Sequence, residues 1–368
     1  MRIGVLSGAV KNAGDFLIEK RSVDLIRFHY PNADICLFQR NQPLDHELEA
    51  LNQCDFIIMA GGPVLQPNVY PTVMPLVQDL RLINPPVYSL GLGWKGKHTD
   101  EIYTTYKFTD RMKMLLDKMS ENGPLSCRDW YTVRVLKENG YSDCIMTGCP
   151  AWYCLDALQQ PGERKKTICG ETICISDPAV EKNIGMVLPL VKAVRKIFPE
   201  SPIMYVVHRD NVNDSNLSVR HNERLRQLYD QLEKMGVQRT CIANGVEGFG
   251  IYDTCKFHIG FRVHAHIYNL SMGGQTVLIN EDARGRGVND ALGLENIDTE
   301  TLIWLGENRT GRVRAALQTK DAEAAFQRKV EYCLDMNIRT QGFIYERAWN
   351  SIKEYYGAMC GYIQSWKQ

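Results

Sequence analysis

The sequence predicts an α/β protein made of two parallel-sheet units in tandem, followed by C-terminal helices. Three observations predict it. Short apolar runs alternate with helical patterns through the first half; the alternation stops at a polar, charged stretch and then restarts; and the last part turns purely helical. Strands that alternate with helices imply a largely parallel sheet with right-handed crossovers.

In the first half, strands are expected at residues 3–6, 35–38, 56–59, 87–90, 125–127 and 144–146, with helices at about 15–28 and 130–139. The third strand leads into Gly61 and Gly62, the fourth into GLGWKGK. Residues 159–166, QQPGERKK, are the linker candidate, because Pro-Gly beside a run of charge ends regular structure. Beyond it, strands are expected at 173–175, 203–207, 239–242, 257–260 and 276–279, with helices near 184–197 and 223–235. The implied organisation is an N-terminal domain over 1–158, a second over 167–320, and helices over 321–368 packing on the body. In that last part Trp349, Ile352, Tyr356, Met359, Ile363 and Trp366 recur at spacings of three and four. They form one apolar stripe, read as a packing face, with peripheral membrane contact as the alternative.

A chain of 368 residues exceeds one ordinary domain. With 44% hydrophobic and 23% charged residues it has the composition of a globular protein with real cores. Lys plus Arg and Asp plus Glu both number 43, so the basic excess that a nucleic-acid partner calls for is absent. The 12 cysteines contain no CxxC pair, and several fall in apolar runs such as TICIS. They read as reduced core thiols of a cytoplasmic protein, not as a disulfide framework or a metal site. The opening MRIGVLSG reads as a first strand rather than a signal region, and no apolar run is long enough to span a bilayer.

In open α/β sheets, ligands bind at the carboxyl ends of strands, so the strand-to-helix junctions carry the search for chemistry. The strongest is KFHIGFRVHAHIYNLSMGG, residues 256–274, where Arg262 and His264 sit as a helix begins. Free amides and the helix dipole suit an anion there. Arg262 adds a planar cation for two-point contact with a carboxylate or phosphate. His264 can hold or deliver a proton near neutral pH. The alternative pairs Arg262 with a carboxylate and leaves His264 as a helix-capping group; His266 reads equally as a ligand contact or a structural histidine.

The second junction, PLSCRDWYTVRVLKENG at 124–140, places Arg128 at a strand end, with an Arg128–Asp129 surface pair as the alternative. The third, SGAVKNAGDFLIEK at 7–20, offers Lys11, Asn12 and Asp15 to a sugar or phosphate, or merely a turn with Asp15 capping its helix. It lacks the G-x-G-x-x-G dinucleotide fingerprint. The fourth, INEDARGRG at 279–287, brings Glu281 beside Arg284 and Arg286, either to orient a hydroxyl or a catalytic histidine, or as a solvated charge cluster. His208 closes a further strand with a weaker signal. There is no nucleophile elbow, P-loop or HExxH, and the carboxylates show no metal-like spacing, so neither a metal nor a required cofactor is expected.

KNAGDFL, the Gly61-Gly62-Pro63 turn, SCRD, TGCPA at 147–151 and GFRVHAHIYNLSMGGQTVLIN together resemble the polysaccharide pyruvyl transferase family, in that family's order and over about residues 2–293. GFRVHAH is the most specific of these elements. Two segments depart from the family's pattern: the third glycine of its usual GGG is Pro63, and EDARGRG differs from the commoner forms. The resemblance implies a GT-B-like arrangement of two Rossmann-like domains facing across a cleft, with the N-terminal domain on the acceptor side and the C-terminal domain on the donor side. It implies a transferase of surface or capsular polysaccharide biosynthesis, with phosphoenolpyruvate as donor and a sugar or lipid-linked oligosaccharide as acceptor. The product is then a cyclic pyruvyl ketal. On this pattern Arg128 and Arg262 bind the donor's carboxylate and phosphate, and His264 is the acid–base residue. Gly61, Gly62, Lys11, Asn12, Asp15, Glu281, Arg284 and Arg286 are substrate-binding candidates, with His266 and His208 as further ones. The competing readings are a GT-B-type glycosyltransferase using a nucleotide sugar, and a non-catalytic carbohydrate-binding protein on the same scaffold.

Overall fold

The computed structural model describes residues 1–96, 105–159, 170–209, 219–299 and 312–366. The chain divides into two compact units: Met1–Val10, Asp15–Pro161 and Asn350–Gln368 form the first, Lys11–Gly14 and Gly162–Trp349 the second. The proposed linker lies, except for Gln159, outside the described residues.

The first unit is a six-stranded sheet of β1 (Arg2–Ser7), β2 (Asp34–Gln39), β3 (Phe56–Leu65), β4 (Val87–Trp94), β5 (Leu125–Cys127) and β6 (Cys144–Met146). Its order is β2-β1-β3-β4-β5-β6, with every neighbouring pair parallel. Parallel strands are covered on both faces, which explains their unbroken apolar runs; all of β4 is buried. β3 and β4 run past the ends expected for them, through Gly61–Gly62 and through the glycines of GLGW. Glycine is depleted in strands, so periodicity stops at it. Here a Cβ at Gly61 would lie only 3.1 Å from Leu90 O, so the glycine lets two backbones approach. The helix Trp130–Glu138 starts where expected, capped by Asp129, whose carboxylate accepts from Thr132 N at 2.7 Å.

The second unit is built from β7 (Ile173–Ser176), β8 (Ile203–Val207), β9 (Gln238–Cys241), β10 (Phe257–Gly260), β11 (Thr276–Asn280) and β12 (Ile297–Asp298). The order is β12-β11-β10-β7-β8-β9, again all parallel. Its core joins β7, β8, β10 and β11 to the helices Val187–Ile197, Val219–Lys234 and Arg312–Arg339 through residues such as Ile175, Val191, Leu228, Ile259 and Val330. A further helix, Ala283–Leu292, follows β11 where the sequence shows only a charged, glycine-containing run. ARGRGVNDAL has poor intrinsic propensity. Packing replaces it: a Cβ on Gly285 would lie 2.5 Å from Asn280 Oδ1, so the glycine lets the helix lie on the end of β11.

The C-terminal stripe is a packing face. Trp366 stacks on Tyr88 at 5.3 Å and meets Phe56 edge-on at 5.8 Å, while Ile352, Met359 and Ile363 are buried. The stretch 321–368 is shared: Phe326, Val330 and Leu334 enter the second unit's core, and Asn350–Gln368 belongs to the first. Among the described residues no helix is long and apolar enough to cross a membrane.

The fold class is therefore two six-stranded parallel sheets flanked by helices. Each sheet reverses its strand order once, between β1 and β3 in the first unit and between β7 and β10 in the second. Such switch points open a crevice at the carboxyl ends of the strands, where ligands bind.

Candidate functional site

At the second unit's switch point β10 ends in Gly260, with φ of +157°. A Cβ there would lie 2.4 Å from Ser176 Oγ at the end of β7, so only glycine fits. The chain then turns into the helix Val263–Ser271, with Arg262 as its N-cap residue. Arg262 N donates to Ser176 Oγ at 3.1 Å. Its side chain donates from Nε to Asp177 Oδ1 at 2.7 Å and from Nη2 to Asp177 Oδ2 at 2.6 Å. This is a two-point fork that fixes the guanidinium plane and leaves Nη1 outside the pair. Asp177 is held in turn by His208 N at 3.0 Å. Arg262 is 8% exposed. Burial alone would lower its pKa, but the Asp177 carboxylate raises it above the ordinary arginine value.

His264 lies in the first turn of the same helix. The segment Lys11–Gly14 packs against it: a Cβ on Gly14 would lie 2.2 Å from His264 Nδ1. Main-chain bonds fix that segment, from Ala13 N to His208 O at 3.0 Å and from Asn244 N to Lys11 O at 3.3 Å. Lys11 and Asn12 thereby lie beside the residues that follow β8 and β9, whereas Asp15 belongs to the first unit.

His208, His258 and His266 are buried and hydrogen-bonded. His208 Nε2 meets Tyr252 OH at 2.7 Å. His258 bridges Ser176 Oγ, 3.0 Å from Nε2, and Thr276 Oγ1, 2.6 Å from Nδ1. The same Thr276 hydroxyl meets His266 Nδ1 at 3.0 Å. Burial pushes all three imidazoles down: His208 well below the usual range, helped by the Arg262 charge and by His258 and His264; His258 likewise, helped by His266; and His266 to about 3, with Asn289 opposing. They are neutral at pH 7. His266 faces a cavity of about 170 Å³ lined also by Thr276, Asn289 and Tyr345.

Glu281 is also committed to structure. Its carboxylate accepts from Ala179 N at 2.8 Å, Val180 N at 3.0 Å and Asn183 Nδ2 at 2.8 Å. Burial raises its pKa, and these donors and Arg262 oppose the rise. It anchors the loop that leaves Asp177 and so supports the Arg262 clamp from behind. Arg284 pairs with Asp282 at 2.7 Å, and Arg286 with Asp298 at 3.2 Å.

In the first unit Arg128 follows β5 and is 2% exposed. Nε reaches Asp129 Oδ2 at 3.2 Å and Nη2 reaches Trp94 O at 3.3 Å. The guanidinium lies flat on Gly93, where a Cβ would fall 2.3 Å from Cζ. The Arg128–Asp129 pair that the sequence offered for the surface exists, but in the interior. Beside the β1/β3 switch point stands Arg40, at the end of β2, which no motif in the sequence singles out. Its Nη1 donates to the carbonyls of Ala60 and Gly61, next to both glycines expected to bind substrate.

Asp177, His258, Gly14 and Arg40 were all missed. Asp177 and Arg40 directly follow the strands ICIS and DICLFQ, so reading every strand end for charge would have found them. Gly14 and His258 lie inside KNAGDFL and KFHIGFRVHAH, but their roles rest on contacts between distant segments that no motif displays. Among the described residues no cluster of histidine, cysteine or acidic side chains could hold a metal ion.

Residues 12–282 match the family described as polysaccharide pyruvyl transferase. No curated protein matches the chain. Among solved structures the chain is similar to a putative UDP-N-acetylglucosamine 2-epimerase from Listeria monocytogenes, with a TM-score of 0.53 and 10% identity over 99% of this chain and 94% of that one. It is similar to the UDP-GlcNAc 2-epimerase from Neisseria meningitidis bound to UDP-GlcNAc, with a TM-score of 0.53 and 12% identity over 99% and 98%. A glycosyltransferase from Rickettsia africae gives a TM-score of 0.52 and 12% identity over 99% and 96%. At such identities the likeness is one of fold, and that fold is the two-sheet GT-B type.

Proposed function

The chain belongs to the polysaccharide pyruvyl transferase family, and from that premise we propose that it transfers pyruvate from phosphoenolpyruvate to a sugar diol, forming a cyclic ketal. The observation that carries this reading is a fixed cation beside a histidine at one switch point: Arg262, locked in plane by Asp177, with His264 in the helical turn that Arg262 opens. A planar, oriented guanidinium suits the carboxylate or phosphate of a small polyanion.

The chemistry needs one mobile proton. His264 delivers it to the methylene carbon of the enol phosphate, and positive charge develops at the central carbon. A sugar hydroxyl bonds to that carbon and returns its proton to the imidazole. The second hydroxyl then attacks the same carbon, the bond to the phosphate oxygen breaks, and inorganic phosphate leaves with that hydroxyl's proton. The sum is phosphoenolpyruvate plus diol giving ketal plus phosphate. A bound polyanion beside the imidazole favours its charged form, so donor binding itself arms the acid. Arg128 is carried over from the family's pattern as a donor-binding residue.

The acceptor is a sugar or lipid-linked oligosaccharide, and the setting is polysaccharide assembly at the cytoplasmic face of a membrane. The test is an acceptor screen with phosphoenolpyruvate, scored by phosphate release and product mass. Acceptor-dependent phosphate release with a pyruvylated product is the expected result. Release of UDP or CMP from nucleotide sugars, with phosphoenolpyruvate untouched, would overturn it in favour of a glycosyltransferase. Sugar binding with neither turnover would make the protein a carbohydrate-binding one.

A further inference from the structure

The first unit's switch point carries a buried cation that the proposed reaction does not use. Arg40 follows β2 and is 5% exposed. Nη1 alone is tied down, to the carbonyls of Ala60 and Gly61 and against Met59 Sδ at 3.6 Å. Among the described residues no carboxylate lies within ion-pair distance of the guanidinium, and the nearby Asp15 acts on it only through its field. Burial lowers its pKa to about 10, which still leaves it fully charged at pH 7.

The opposite edge of the guanidinium, Nε and Nη2, lies over two glycines. A Cβ on Gly8, just past β1, would fall 2.9 Å from both Nε and Nη2. A Cβ on Gly62, in β3, would fall 3.0 Å from Nη2, and Gly62 has φ of +91° as well. Gly8 has no such backbone demand. Its missing side chain therefore serves the approach to the guanidinium edge. An arginine presents its two parallel donors for bidentate contact along this edge, and no hydrogen bond is made to it among the described residues.

We propose that the Nε–Nη2 edge of Arg40, between Gly8 and Gly62, is an oxyanion subsite of the first unit that holds a phosphate group of the second substrate. The glycines keep the edge clear and the switch point supplies the crevice. Burial strengthens the contact, because charge–charge attraction grows as water is excluded. The subsite goes beyond the donor chemistry and does not depend on phosphoenolpyruvate being the donor. A phosphate bound there belongs either to a diphosphate-bearing acceptor or to a free phosphate or monoester, and both offer the same two oxygens to the fork.

The test follows the arginine Nε–Hε signals of the full chain by ¹⁵N NMR while inorganic phosphate or pyrophosphate is added. Arg40→Gln removes one signal and so identifies it; Gly8→Ala, whose methyl presses on Nε, shifts the same signal and identifies it independently should Arg40→Gln fail to fold. In the unmodified protein the Arg40 signal should move saturably. Gly8→Ala keeps the charge, yet should weaken that titration about tenfold or more, the value of one hydrogen bond to a charged group. Much tighter binding of pyrophosphate than phosphate assigns the site to a diphosphate-bearing substrate; equal binding assigns it to a monoester or free phosphate. An Arg40 signal that neither anion moves, or one that titrates alike with and without the Gly8 methyl, overturns the subsite.

Discussion

The two switch points place a buried arginine at the ends of neighbouring strands and treat its charge in opposite ways. In the second unit Arg262 faces Asp177 through two short bonds, with neutral imidazoles around the pair. In the first, Arg40 leans on main-chain carbonyls and glycines, with no carboxylate in contact among the described residues. A matched pair gives up much of its field and gains a fixed geometry; an unmatched cation keeps its charge for a ligand. On the proposed roles, the second unit supplies positioning and the first attraction. In the proposed reaction, the histidine that exchanges a proton at a defined place stands beside the matched arginine.

The sharpest way to break this contrast is at His264. Replacement by Gln should leave phosphoenolpyruvate binding nearly intact and lower turnover by about 10²–10⁴-fold, the usual worth of a general acid. Phosphate-release kinetics read the effect, and an unchanged turnover number removes the proton-transfer role. Asp177→Asn attacks the positioning side. It leaves Arg262 buried beside a neutral amide, and breaking a buried pair in this way costs about 3–5 kcal/mol. Denaturant unfolding should show that loss, together with a rise in KM for the donor; an unmoved midpoint would mean that Arg262 relaxes into solvent and was never clamped. Gly14→Ala is milder. Its methyl would overlap the His264 ring, so the imidazole must turn away. A misplacement of that size costs about 10²-fold in rate. Turnover should fall with the donor affinity kept, and a wild-type rate would show that the imidazole adjusts without cost.

Both functional regions were partly legible. The strand–helix alternation gave both sheets because buried parallel strands leave continuous apolar runs, and GFRVHAH announced a charged strand end. Three kinds of information escaped. β3 and β4 continue through glycines because the partner strand, not local propensity, decides there. The helix Ala283–Leu292 forms on a sequence of poor propensity because its glycine fits against Asn280. The partners of the named side chains were invisible: Asp177 lies 85 residues from Arg262, and Glu281 turned out to brace a loop about 100 residues away. A single chain shows which groups are able to bind an anion; only the fold shows which are already bound to each other.

The smallest expected effect per group, and the one that separates the two units most directly, is acid sensitivity. Burial depresses His208, His258 and His266 in the second unit, whereas in the first His29 alone among the described histidines shows such a depression, and it is only half-buried. A depressed pKa means that the folded state refuses a proton the unfolded state accepts. The stability these imidazoles contribute is therefore complete above the unfolded value of about 6.5 and is lost as pH falls toward the folded values, which for His266 is about 3. Each contributes a slope of about 1.4 kcal/mol per pH unit once the unfolded histidine is protonated. Glu281 has the opposite sign: its raised pKa favours the folded state below the usual carboxylate range, and that contribution fades as pH rises through its folded value. Between pH 6.5 and 5 three depressed histidines stand against a single raised carboxyl, so the histidines set the sign of the slope. Urea unfolding at pH 7.5, 6.5 and 5.5 should show a flat upper segment and a steep lower one. His258→Asn should lower stability at pH 7.5 and flatten the lower segment by about one histidine's share. A curve with no break near pH 6.5 would mean that the three imidazoles accept protons in the folded chain, and with that the neutral surroundings drawn for Arg262 and Asp177 would be wrong.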